Sequence, residues 1–99
     1  MPDRVIVIFA ESAVQDLEDI LEYYREQEAP KVGDKLVREI VELAEELSDH
    51  PERGRVVPEF QSPQLRELIH PPFRIVYRRY NEKVSVVRVW RSERLMRIP

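Results

Sequence analysis

The 99-residue chain predicts an α+β fold, a helical hairpin packed on a small, mainly antiparallel sheet, and three observations predict it. A short β-branched run opens the sequence. Two apolar stripes at helical spacing follow, separated by only a few residues. The last third then reads as strands divided by short breaks. The element order is β-α-α-β-β-β in a single domain over residues 1–99, since this length supports one core.

The first strand is "RVIVIF" (Arg4–Phe9), apolar on both parities and therefore expected to be covered on both sides. Ser12 followed by Gln15 matches a capping box, and Leu17, Ile20, Leu21 and Tyr24 carry a helix to about Glu28. Pro30 suits the first turn of a second helix, whose stripe is Leu36, Val37, Ile40, Leu43, Ala44 and Leu47 and which Pro51 ends. The break around Ala29 is so short that the helices must pack antiparallel. Asp49–Gln64 holds three of the eight prolines, Gly54 and no period, so it reads as a connecting loop and the most mobile segment. Leu65–His70, Phe73–Tyr80 and Val84–Arg91 are strands, the last two joined by a tight turn at Asn81–Lys83. The sheet face away from the helices is expected to remain free for partners.

Composition excludes several chemistries. With no cysteine there is no disulfide framework, thiolate metal site or cysteine nucleophile, and a cytoplasmic setting is expected. The apolar run near the N-terminus falls far short of the roughly 20 residues needed to cross a bilayer, so neither export nor membrane insertion is expected. No Gly-rich phosphate loop, HExxH or EF-hand pattern occurs, and neither metal nor cofactor is expected. The net charge of −3 hides an asymmetry: residues 1–52 hold 5 Lys+Arg against 15 Asp+Glu, and residues 53–99 hold 11 against 4. An acidic half beside a basic half either neutralises itself across the fold or offers its basic part to an anionic partner.

The basic half concentrates the candidate residues. Alternation puts Phe73, Ile75 and Tyr77 on one face of their strand and Arg74, Val76, Arg78 and Tyr80 on the other. In "SVVRVWR", Arg88 and Trp90 share a face opposite Val87, Val89 and Arg91. Guanidinium groups suit carboxylate or phosphate, and beside an aromatic ring they stack. Paired with Glu59 or Glu67, the same arginines form a salt-bridged surface instead. His50 reads as a helix-end cation, His70 as a general acid or base without a visible partner, and Trp90 as packing rather than a stacking platform.

Five stretches, "SAVQDLEDILEYY" (Ser12–Tyr24), "HPERGR" (His50–Arg55), "LREL" (Leu65–Leu68), "FRIVYR" (Phe73–Arg78) and "VVRVWRSER" (Val86–Arg94), together resemble the RelE/ParE superfamily of bacterial toxins from type II toxin-antitoxin systems. The resemblance covers nearly the whole chain and implies a RelE/ParE-like fold and a toxin held inactive by a cognate antitoxin, in a hetero-oligomer. Its RelE-like branch cleaves mRNA on the ribosome; its ParE-like branch binds and poisons DNA gyrase. Arg74 matches the phosphate-holding arginine of the nucleases, but ParE-like proteins commonly carry an arginine there too. The tyrosine or histidine-tyrosine pair that RelE-like enzymes place after the last strand is missing from "WRSERLMRIP", and Glu67 stands where a lysine is expected.

The resemblance therefore points to the ParE-like branch, with Arg74, Arg88, Arg91 and Arg94 as target-binding residues and Arg66 as a secondary, structural candidate. The alternative is a ribosome-dependent mRNA endoribonuclease with Glu67, His70 and Arg74 as its catalytic set. A second alternative is a non-toxic protein-binding domain of the same fold.

Overall fold

β1 (Ile6–Phe9) runs parallel to β5 (Lys83–Arg91), in the register Ile6 to Lys83 through Phe9 to Val86. A parallel pair requires a long crossover. The helical hairpin of α1 (Glu11–Glu26) and α2 (Pro30–Glu45) supplies its first part. β3 (Leu65–His70) and β4 (Phe73–Arg79) then pair antiparallel with each other, and β4 with β5, as the sequence predicts. A two-residue strand, β2 (Arg55–Val56), adds to β3, so the sheet has five strands in the order β1-β5-β4-β3-β2. The computed structural model describes residues 4–92.

The hairpin forms where expected. Glu28 takes the left-handed conformation (φ 59°), the Ala29 N–H reaches the Tyr24 carbonyl at 2.8 Å, and Pro30 starts α2. The helices touch closely at Gly33, where a Cβ would stand 3.0 Å from the Cβ of Tyr24. Their apolar stripes, with Ile20, Ile40 and Ala44, and Leu47 in the 3-10 turn that follows α2, close over Leu68, Phe73, Ile75, Tyr77, Val84, Val86 and Val89 to make the main core.

Four local expectations are corrected. The capping box does not form, because the helix begins at Glu11 with Ala10 as its cap; Ser12 lies inside the first turn and donates its hydroxyl to the Val87 carbonyl at 2.6 Å, while Gln15 bonds Asp19. A register shift at Val76/Tyr77 gives β5 an extra residue, so Val87 packs with Val57, Leu65 and Val76 while Val89 enters the main core. The face away from the helices is thus partly covered rather than free, by Val57, which is fully buried. The first strand is covered on one side only: Val7 and Phe9 pack on the core, whereas Ile6 and Ile8 are exposed.

The proline-rich connection is anchored by one hydroxyl. Tyr77 Oη donates to the Pro51 carbonyl and accepts the Gly54 N–H, both at 2.9 Å, and burial pushes its pKa up. A Cβ on Gly54 would stand 2.6 Å from the Glu67 carbonyl oxygen and 2.7 Å from Tyr77 Oη, so only glycine fits. Arg66 donates to the Gly54 carbonyl at 2.9 Å, which gives "HPERGR" and "LREL" a joint structural role.

Candidate functional site

The outer face of the sheet carries two arginine-carboxylate assemblies. In the first, Arg74 donates Nε to Glu67 at 2.5 Å and its two terminal nitrogens to Glu59 at 2.9 Å each, and Arg55 donates to the other Glu67 oxygen at 2.6 Å. The Glu67 side chain is fully buried and that of Arg74 is 5% exposed. The Glu59 hydrogen bond raises the Arg74 pKa, and reciprocally Arg74 holds the Glu59 carboxyl below its ordinary range. Glu59 lies in the connection between β2 and β3, so its bidentate grip ties that segment to the sheet.

The second assembly sits where β1 has ended and β5 continues. Asp16, on the buried side of α1, accepts Arg88 Nε at 2.8 Å, Arg88 Nη2 at 2.9 Å and the backbone N–H of Val89 at 2.8 Å. Together with the Ser12 bond to Val87, these side chains occupy backbone groups that a longer β1 would have paired. Hydrogen bonding to Asp16 raises the Arg88 pKa. The guanidinium carbon lies 4.7 Å from the centre of the Trp90 ring, a cation–π distance, and the Arg88 side chain remains 41% exposed.

The predicted target-binding residues therefore divide. Arg88 is fixed and accessible, whereas Arg74 is buried and engaged on three nitrogens. Arg91 stands over the Phe73 ring at 5.7 Å, opposite it in the ladder, and Arg94 lies outside the described residues. Trp90 faces Arg74 across the β4–β5 ladder and serves as the platform for Arg88.

The nuclease set is split by the sheet. On β3, Glu67 shares the outer face with Arg74, but His70 has the opposite parity and meets Glu39 of α2 at 3.0 Å. Among the described residues no cluster of three or more potential metal ligands occurs, and no helix is long and apolar enough to cross a membrane.

Sequence reasoning gave no role to Asp16, although it lies within a quoted stretch. Its signal was a carboxylate on a buried stripe, since Ala13, Asp16 and Ile20 are the buried positions of α1.

A family model described as the ParE toxin of type II toxin-antitoxin systems, parDE, matches residues 7–96. Among solved structures, the fold is similar to a chain of the chromosomal ParDE system from P. aeruginosa, with a TM-score of 0.76 and 24% identity over 90% of this chain and 97% of that one. It is also similar to a chain of the toxin-antitoxin complex RelBE2 from Mycobacterium tuberculosis, with a TM-score of 0.66 and 22% identity over 89% and 91% of the two chains. No curated protein sequence matches the chain.

Proposed function

The chain belongs to the ParE toxin family of type II toxin-antitoxin systems, and from that premise we propose that it binds and inhibits DNA gyrase in the cytoplasm and is neutralised by a cognate antitoxin. The observation that carries this reading is the division of the three groups a nuclease would need. General acid-base cleavage requires an acid, a base and a phosphate-holding cation converging on one reacting centre. Here His70 lies across the sheet from Glu67 and Arg74, and those two engage each other. A binding protein has no such requirement. It needs an accessible side chain held in place, and Arg88 on Trp90 meets that description.

The antitoxin reading is supported by β1. Among the described residues no strand lies beyond it, Ile6 is 66% exposed and Ile8 40%, and an extended segment of a partner would find both backbone groups and apolar side chains there.

The test uses the purified protein freed of antitoxin, assayed in parallel on plasmid supercoiling by gyrase and on mRNA in translating ribosomes. Inhibited supercoiling with intact mRNA is the expected result. Codon-positioned mRNA cuts with normal supercoiling would replace this reading with the ribosome-dependent endoribonuclease.

A further inference from the structure

Arg88 is held by a residue 72 positions away in the sequence, and the manner of holding is more specific than fold stability requires. Asp16 occupies a buried position of α1 between Ala13 and Ile20. An apolar residue would pack there without the desolvation of a carboxylate, and an asparagine would accept the Val89 N–H. What the carboxylate adds is the two-point fork on Arg88 Nε and Nη2, at 2.8 and 2.9 Å, which fixes the plane of the guanidinium. That plane is presented to the Trp90 ring at 4.7 Å, while the side chain keeps 41% of its surface exposed.

We infer that Asp16 is the positioning residue of the target contact: it locks Arg88 over Trp90 so that the guanidinium meets an acidic group of the target already in its bound orientation. The inference rests on the reading of Arg88 as a target contact. A free arginine loses much rotamer freedom when a partner seizes it, and an arginine already held by a carboxylate and a ring has lost that freedom during folding. The register shift that gives β5 an extra residue lies beside Arg88, at the edge where Asp16 is in reach.

The experiment is a double-mutant cycle of Asp16→Asn and Arg88→Ala, read by growth inhibition on induced expression and by gyrase supercoiling. Asparagine retains an acceptor for the Val89 N–H, so the variant tests the fork rather than the helix contact. Asp16→Asn is expected to lower toxicity by about ten-fold or more, the worth of one charge-assisted contact, with no further loss from Asp16→Asn in the Arg88→Ala background. In parallel, Trp90 is the only tryptophan of the chain, and its acrylamide quenching is expected to rise in Asp16→Asn as the guanidinium leaves the ring. Full toxicity of Asp16→Asn, an equal loss in both backgrounds, or unchanged Trp90 quenching would each overturn the inference. Coupled loss in growth inhibition without any effect of the wild type on supercoiling would retain it and discard gyrase as the target. A wild type that does not inhibit growth would overturn both.

Discussion

Arg74 and Arg88 lie on adjacent strands, two ladder positions apart, and both are gripped by carboxylates through two or more nitrogens. Their exposures differ by nearly an order: 5% of the Arg74 side chain reaches solvent against 41% for Arg88. The carboxylates explain the difference. Glu59 and Glu67 approach Arg74 from a covering segment and from the neighbouring strand, which encloses it, whereas Asp16 approaches Arg88 from a helix beside the sheet edge and leaves one side open. A guanidinium surrounded by its partners is consumed by the fold. One held from the side is displayed.

The comparison breaks first, if it breaks, at Glu67. Its removal leaves the buried Arg74 Nε without an acceptor and Glu59 as the remaining counter-charge, so Glu67→Ala is expected to cost about 3 kcal/mol or more, measured by urea unfolding; a cost comparable to that of an exposed ion pair would mean that Arg74 is not committed to the fold. The next largest effect is expected at Tyr77→Phe, at about 2–3 kcal/mol, because it strands the buried Gly54 N–H and removes the donor to Pro51. That measurement separates the neutral anchor of the connection from the charged one.

Arg88→Ala sharpens the contrast from the other side. Being partly exposed, this pair is screened, and the substitution is expected to cost no more than about 1 kcal/mol of stability while weakening growth inhibition at least as much as Asp16→Asn does, with measurable inhibition left. A variant that unfolds like Glu67→Ala would place Arg88 in the same class as Arg74. The smallest effect is expected from acid. Because Arg74 holds the Glu59 carboxyl below its ordinary value of 4.5, the folded chain binds that proton more weakly than the unfolded one. The stabilisation is therefore present above about pH 4.5 and lost as pH falls below it. Wild type should lose more stability than Glu59→Gln over that range, and parallel pH profiles would show that the covering segment is not held by this charge.

The helical hairpin, the Leu65–His70 strand and the β4–β5 hairpin were legible because each is long enough to show its own period and its breaks carry proline or polar turn residues. β2 was not, since two residues have no period. Nor was the extra residue in β5, because a bulge is a property of two paired strands and alternation along one of them cannot reveal it. Of the site, the outward parity of Arg74 and the adjacency of Arg88 and Trp90 followed from alternation alone. The pairing of Arg74 with Glu59 and Glu67 was among the readings the sequence offered, whereas that of Arg88 with Asp16, 72 residues distant, was not, and no local pattern encodes it.

The side chains of Ser12 and Asp16 that cover the end of β5 also bear on how copies of this chain behave toward one another. An unpaired strand edge is a template on which sheets grow from molecule to molecule. The described sheet ends in strands of only four and two residues, β1 and β2, and the longest strand, β5, is paired by β1 over its first part and covered by a helix beyond it. The described sheet thus presents only short edges to other copies, and the end of its longest strand is covered by two helix side chains rather than by another strand.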